Sequence, residues 1–154
     1  PAAWAVSNYL LSEPDLRDNL SSLSILELGT GTGLVSIAAA MGGCKKVLAT
    51  DYEPLALELT RYATDKIENN ICISDGTDLP LSERLETRLL DLCALQEQPL
   101  PLKSDAADDD NGFDVVVAAD IMVCTITVMI LLQRNPSFLL LLVLKRNIAY
   151  CTQL

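Results

Sequence analysis

The chain has 154 residues, half of them hydrophobic, and a formal net charge of -10 at pH 7. This length supports one domain with a sizeable core rather than two. The excess of acid argues against a protein that binds a nucleic-acid backbone, because such binding rests on clustered lysine and arginine. Histidine is absent, which excludes Ser-His-Asp and Cys-His catalysis and the usual histidine-containing zinc sites, so we expect no metal centre.

The cysteines and the most apolar stretch bear on location. The five cysteines include no C-x-x-C pair, which favours reduced core cysteines in an intracellular protein. The first residues lack the basic start and apolar run of a secretory signal. Residues 126–144 are apolar, but QRNP divides them into halves that are too short to span a membrane. We therefore expect a cytoplasmic protein, with the nucleus as a further location, and no membrane anchor.

A helix over residues 3–12 is the first predicted element, and Pro14 marks its end. The helix is predicted to be amphipathic, with Trp4, Ser7, Leu10 and Leu11 together on the face that packs on the protein. Residues 24–29, SILELG, form a short apolar strand that ends in glycine. After TGTG, the helix-forming run LVSIAAAM continues to the stop signal Gly42-Gly43. The pattern is strand, glycine turn, helix.

The same alternation continues along the chain. Residues 45–51 predict a second strand that ends on an acid, and Pro54 begins a helix that Asn69 and Asn70 end. Three further strands are predicted: 86–93 (ETRLLDLC), 113–120 (FDVVVAAD) and 136–146 (PSFLLLLVLKR). TITVMILLQRN is a helix between the last two, and residues 96–112 are a flexible surface loop. This order predicts an α/β fold, a doubly wound, mostly parallel sheet with helices on both faces.

The glycine turn at residues 29–33 is the predicted ligand site. In such a sheet, ligands bind at the carboxyl ends of the strands, and the N-H groups of the following helix favour polar or anionic groups. A tight connection without a ligand is the alternative. The dinucleotide fingerprint G-x-G-x-x-G/A requires Gly or Ala where this chain has Leu34. Asp51 lies near the offset at which an acid binds ribose hydroxyls, although an N-cap for the next helix is also compatible.

Four sequence segments carry a resemblance to a known family. They are WAVSNYL, ILELGTGTGLVSIAAA with its acid-preceded E-x-G-x-G-x-G pattern, VLATDYEPLALEL and FDVVVAADIMV, and together they cover roughly residues 4–123. In this order they resemble class I, seven-β-strand methyltransferases, and in particular the methyltransferase-like protein lysine methyltransferases. The resemblance implies a Rossmann-like fold, S-adenosylmethionine as cofactor, S-adenosylhomocysteine as product, and methyl transfer to a protein lysine.

The resemblance also implies site residues. The implied cofactor-binding residues are Glu27, Gly29, Thr30, Gly31, Gly33, Asp51, Tyr52, Asp91, Leu92 and Ala119. The glycines would line the methionine portion, where a Cβ would intrude, and Glu27 would fix the ammonium group. Asp51 would bind the ribose, while Tyr52, Asp91 and Leu92 would surround the adenine.

Asp120 is the implied catalytic residue, which would orient the incoming lysine. The related enzymes often carry Trp where Leu92 stands and an aromatic where Val123 stands. Each acid has a structural alternative: neighbouring N-H groups satisfy Glu27, Asp91 is a solvated strand-end acid, and Asp120 is a strand-end cap. For Tyr52, the alternative to packing on the adenine is an aromatic side chain at the edge of the fold without a ligand contact.

Residues 1–154 are predicted to form a single domain. We divide it into an N-terminal helix and linker (1–23), a cofactor-binding half (24–93), an acidic loop (94–112) and a substrate-side half (113–154). The family usually ends in two further strands, whereas RNIAYCTQL follows LLVLK here, so we expect the last part to be incomplete. The acidic surface favours a basic protein substrate, and the oligomeric state is open. The alternative functions are a small-molecule methyltransferase, a NAD(P)-binding oxidoreductase, and an inactive cofactor-binding module.

Overall fold

The computed structural model describes residues 2–70, 79–91 and 113–119 with their side chains, and the backbone of residues 139–144 and 147–151. The strands are β1 (Ser24–Leu28), β2 (Lys46–Asp51), β3 (Leu85–Leu89), β4 (Val115–Ala119), β5 (Leu139–Leu144) and β6 (Asn147–Cys151). The helices are α1 (Ala2–Ser12), α2 (Pro14–Arg17), α3 (Leu34–Met41), α4 (Pro54–Asn70) and α5 (Leu81–Arg84), with a 3-10 turn over Leu20–Ser22.

All six strands form one sheet in the order β3-β2-β1-β4-β5-β6. Neighbouring strands from β3 to β5 are parallel, and β6 runs antiparallel to β5. The central strand β1 places Glu27 opposite Ala49 of β2 and Val117 of β4. Because the carboxyl ends of parallel strands meet at one edge, the residues that follow β1 and β2 are brought together there, beside the end of β4. The predicted mostly parallel α/β sheet is confirmed.

The strands β1, β2 and β4 are buried on both faces, as their apolar sequences predict. Alternate residues of β1, β2 and β4 face one core cluster, which the apolar residues of α1 and α3 complete. The buried strand residues of this face are Ile25, Val47, Ala49, Val115 and Val117. The buried residues of the opposite face are Leu26, Leu28, Leu48, Val116 and Ala118. Burial of both faces is typical of parallel sheets.

The face by which α1 packs on the core differs from the prediction. Val6 and Leu10 are fully buried, whereas Trp4 and Leu11 are exposed. The small and branched residues of α1, rather than the indole of Trp4, pack against α3 and the sheet. The helix is therefore rotated about its axis relative to the predicted orientation. The prediction that Trp4 and Leu11 share the buried face is therefore wrong, although Ser7 and Leu10 are buried as predicted.

The apolar residues of α4 divide in the same way. Leu57 is buried, and Ala63 and Ile67 pack against the core cluster. Leu55 and Leu59, which also recur at helical spacing, are exposed. A helical period identified the element correctly but did not decide which stripe faces the sheet.

Strand β3 is the outer strand at one side of the described sheet. Glu86 of β3 lies 3.4 Å from Lys46 Nζ on the neighbouring strand and 2.7 Å from Arg88 on its own strand. Arg61 of α4 donates from Nε to Thr87 Oγ1 at 2.6 Å. The three central residues of the outer strand thus carry charged or polar contacts.

Several boundaries and elements can be compared with the prediction. Strand β3 ends at Leu89 rather than at residue 93, and β6 was not predicted. Cys44 is buried with a free thiol that donates to the Leu23 carbonyl at 2.8 Å, as expected of a core cysteine. The loop at 96–112 and the helix at 125–135 lie outside the described residues, and the division into four segments stays a prediction. None of the helices in the described part of the chain is long and apolar enough to cross a membrane.

Candidate cofactor site

The glycine loop, residues 29–33, joins β1 to α3 by a sharp bend. Its three glycines all have positive φ: 67° at Gly29, 55° at Gly31 and 82° at Gly33. Residues with a Cβ rarely adopt this conformation, which explains why glycine occurs three times in this turn. Thr30 N donates to the Thr50 carbonyl at 2.9 Å, and Gly33 N donates to the Thr30 carbonyl at 2.9 Å. The loop is therefore fixed to the end of β2.

Gly31 and Gly33 have different surroundings. No described atom would lie within 4 Å of a Cβ at Gly31, so the loop is open to a ligand at this residue. A Cβ at Gly33 would lie 2.7 Å from both Cγ2 and Oγ1 of Thr60, a buried residue of α4. The expectation that a Cβ at Gly33 would intrude on the ligand is corrected, because its space is taken by α4.

Asp51, at the end of β2, binds the glycine loop. Its side chain is 7% exposed, and Oδ2 accepts a hydrogen bond from Gly31 N at 2.9 Å. Oδ1 accepts one from Glu53 N at 3.0 Å. This second bond closes a short turn between Asp51 and Glu53, just before α4. Asp51 is therefore not the N-cap of α4, which was the alternative considered for it. Each carboxylate oxygen has about two acceptor positions, so Asp51 retains capacity to bind a pair of hydroxyls.

Glu27 lies beneath the loop and is 2% exposed. Its Oε2 accepts hydrogen bonds from Thr30 Oγ1 at 2.8 Å, from Ser36 N at 3.1 Å and from Ser36 Oγ. Burial raises the pKa of Glu27 from 4.5 to about 7, and the charge of Asp51 adds to the rise while these hydrogen bonds oppose it. Donors from the protein thus satisfy one oxygen, which agrees in part with the structural alternative for this acid.

The structure adds two residues that sequence reasoning missed. Ser36 is fully buried on α3 and contacts Glu27, and Thr50 Oγ1 donates to the Glu27 carbonyl at 2.7 Å. Ser36 is the one polar residue in the run LVSIAAAM, which was the available signal. A buried hydroxyl in such a run requires a hydrogen-bond partner, but the sequence does not identify the partner.

The remaining predicted site residues are placed less completely. Ala119 is buried at the end of β4, and Tyr52 is 71% exposed beside Asp51. Asp91 is exposed, two residues beyond the end of β3, where Leu90 N donates to the Asp51 carbonyl at 2.8 Å. Leu92 and the predicted catalytic residue Asp120 lie outside the described residues. The structure therefore brings together Glu27, the glycine loop and Asp51, and the roles of all these residues stay predictions.

The fold is that of class I methyltransferases. The structure of an RNA methyltransferase from Salinibacter ruber in complex with S-adenosylhomocysteine is similar, with a TM-score of 0.59 and 18% sequence identity, over 92% of this chain and 75% of that one. Protein arginine methyltransferase 10 of Arabidopsis thaliana gives a TM-score of 0.56 and 18% identity, over 88% of this chain and 33% of that one. At these identities the likeness concerns the fold alone.

The sequence matches the model of the lysine methyltransferase family over residues 1–147. The chain therefore belongs to the lysine methyltransferase family, and the predicted resemblance is confirmed. The human electron transfer flavoprotein beta subunit lysine methyltransferase is 43% identical over 56 residues, which are 36% of this chain and 20% of the relative. The Xenopus laevis protein of the same name is 41% identical over 61 residues, or 40% and 24%. The matched part thus spans about a quarter or less of these relatives.

The contact between Gly33 and Thr60 predicts unequal effects of alanine in the glycine loop. Gly33→Ala combines a disfavoured φ with a clash against Thr60, so we expect the free energy of unfolding to fall by about 2 to 4 kcal/mol. Gly31→Ala is the matched control and should cost about 1 kcal/mol, from its φ alone. Urea unfolding measures both, and Thr60→Ala should relieve part of the Gly33→Ala penalty. Equal losses in the two alanine variants would contradict this account.

The raised pKa of Glu27 predicts a loss of stability as pH rises. Between pH 4.5 and about 7, the folded state holds a proton that the unfolded state releases, so the free energy of unfolding decreases through this window and levels off above it. The contribution is about 3 kcal/mol, at about 1.4 kcal/mol for each pKa unit. Glu27→Gln cannot titrate, so its urea-unfolding free energy should decrease less than that of the wild type over this window. Identical pH dependence in both proteins would refute the assignment.

Proposed function

We propose that this chain binds S-adenosylmethionine and belongs to an enzyme that transfers its methyl group to a lysine side chain of a protein. The observation that carries the proposal is the juxtaposition of Glu27, the glycine loop and Asp51 at the carboxyl ends of adjacent parallel strands. Membership of the lysine methyltransferase family supports the same reaction.

The described residues fit this cofactor. Asp51 has acceptor positions left for the two ribose hydroxyls after binding Gly31 N and Glu53 N. No described atom occupies the space that a Cβ at Gly31 would meet, so a ligand can approach the backbone there. All three hydrogen bonds from described residues to the Glu27 carboxylate end on Oε2, which leaves Oε1 for the ammonium group. Tyr52, Asp91 and Leu92 are proposed to surround the adenine, and Thr30, Gly29 and Ala119 to complete the wall.

The bound cofactor supplies a methyl group on a positively charged sulfur. The protein's part is to align the nucleophile with that methyl group and to exclude water. Asp120, directly after Ala119, is proposed to orient the incoming lysine ammonium at the end of β4. A carboxylate there also stabilises the charged lysine, so we propose that water or a nearby base takes the proton before transfer.

The proposed acceptor is a protein with a basic surface around the target lysine. The net charge of -10 supports attraction of such a surface. The names of these relatives make the electron transfer flavoprotein beta subunit the first acceptor to test. A cytoplasmic location stays a prediction, which fractionation of cells would test.

The alternatives receive less support. A NAD(P)-binding oxidoreductase would need Gly or Ala at the position of Leu34, and the family match favours methyl transfer instead. A small-molecule methyltransferase and an inactive cofactor-binding module use the same pocket, so they differ from the proposal in the acceptor and in turnover. Methyl transfer to protein therefore separates them from the proposal.

Calorimetric titration of the purified protein with S-adenosylmethionine, S-adenosylhomocysteine and NAD tests the cofactor. We expect both sulfur nucleotides to bind and Asp51→Ala to weaken them at least about tenfold, because the variant loses two hydrogen bonds to a charged group. Asp65→Ala, an exposed acid on α4, is the control of equal charge change and should bind as the wild type does. Preference for NAD, or no binding of either sulfur nucleotide, would sink the proposal.

Transfer of a radiolabelled methyl group, followed by amino-acid analysis of the acceptor, tests the reaction. With the electron transfer flavoprotein beta subunit or an extract as acceptor, we expect label in methyl-lysine. Asp120→Asn should lower transfer by about 100-fold, within the range typical of a lost positioning or acid-base group, while binding of S-adenosylhomocysteine stays within about twofold. Label in small molecules alone would favour the small-molecule alternative, and binding without any transfer would favour the inactive module.

A further inference from the structure

Ser36 makes an unusual set of hydrogen bonds for a buried helical serine. Its N-H and its hydroxyl both donate to Oε2 of Glu27, and Thr30 Oγ1 donates to the same oxygen. Ser36 is fully buried in an otherwise apolar helix. One carboxylate oxygen thus receives three donors from two sides, the glycine loop and α3.

The buried hydroxyls of the other described helices, α1 and α4, behave differently. Ser7 donates to the Ala3 carbonyl, Thr60 donates to the Ala56 carbonyl, and Thr64 donates to the Thr60 carbonyl, each four residues upstream. This is the ordinary way for a hydroxyl to be satisfied inside a helix. The fourth residue upstream of Ser36 precedes α3. The hydroxyl of Ser36 donates to Glu27 instead of to a carbonyl of its own helix. The contact therefore joins α3 to the site.

Three donors on one oxygen have two consequences for Glu27. They fix the carboxylate in a single orientation, with Oε1 as the oxygen that receives no hydrogen bond from described residues. They also favour the ionised form, which burial opposes. Among the residues that the structure describes, Asp51 at the end of β2 is the charged group that acts on Glu27, and it too opposes ionisation. Neither α3 nor β4, which flank Glu27, carries a titratable side chain.

We propose that Ser36 is a positioning residue for cofactor binding, whose hydroxyl orients the Glu27 carboxylate so that Oε1 accepts the ammonium group of the cofactor. The inference rests on the proposed function, since it concerns the same site. Ser36 itself does not touch the cofactor in this account. Its effect should therefore depend on the ammonium group and on pH, which a purely structural residue would not require.

The test compares two ligands over a range of pH. S-adenosylhomocysteine carries the ammonium group, whereas 5′-methylthioadenosine has the adenosine and sulfur but no amino-acid portion. We expect Ser36→Ala to weaken S-adenosylhomocysteine about tenfold near pH 7, because a hydrogen bond to a charged group is lost, and to leave 5′-methylthioadenosine within about twofold. The pH below which S-adenosylhomocysteine affinity falls should rise by about one unit in this variant.

Three further variants serve as controls. Ser36→Thr keeps the hydroxyl and should restore wild-type affinity and pH dependence. In a Glu27→Gln background, Ser36→Ala should produce no shift with pH, because the group it acts on no longer titrates. Thr30→Val removes a second donor to Oε2 at nearly constant volume, and it should shift the pH dependence in the same direction even if Ser36→Ala does not fold.

The outcomes separate this inference from the proposed function. If the wild type binds S-adenosylhomocysteine but Ser36→Ala weakens both ligands equally, or leaves the pH dependence unchanged, Ser36 is structural and the inference is overturned. If the wild type binds neither ligand, the proposed function fails and the inference fails with it. Selective loss of the ligand with the ammonium group, with restoration by Ser36→Thr, is the result that supports the inference.

Discussion

The side chain and carbonyl of Asp51 connect three strands and a helix, and the geometry of the candidate site depends on this connection. The carboxylate accepts from Gly31 N in the loop after β1 and from Glu53 N before α4, while the carbonyl accepts from Leu90 N after β3. A buried carboxylate that accepts backbone N-H groups is well stabilised. These bonds fix the loop before any ligand binds, so little ordering is left for the binding step.

Glu27, near the end of the neighbouring strand β1, is held by different donors from those of Asp51. Asp51 is positioned by backbone N-H groups, whereas Glu27 is buried more deeply and depends on two hydroxyls and one N-H. Asp51 serves as a fixed acceptor of backbone N-H groups, whereas burial raises the pKa of Glu27. Two carboxylates in adjacent strands thus differ in character because of their donors and their burial, not because of their residue type.

The order of the elements and the position of the site could be predicted, whereas the contacts between elements could not. Glycine spacing, apolar runs and strand-end acids are local features, and they located β1, α3, β2 and α4 correctly. Three features depend on how the helices lie on the sheet. They are the exposure of Trp4 and Leu59, the contact that a Cβ at Gly33 would make with Thr60, and the hydrogen-bond partner of Ser36. Strand β6 was missed because its pairing with β5 is a tertiary contact that a five-residue segment scarcely encodes.

The charged outer strand β3 has a consequence for the protein in a crowded solution. An outer strand presents unpaired backbone groups to which another chain can add. Lys46, Glu86 and Arg88 form a line of alternating charge across β3 and its neighbour, and a second strand laid against this side would have to desolvate them. These charges therefore disfavour the addition of a second strand at this side of the described sheet.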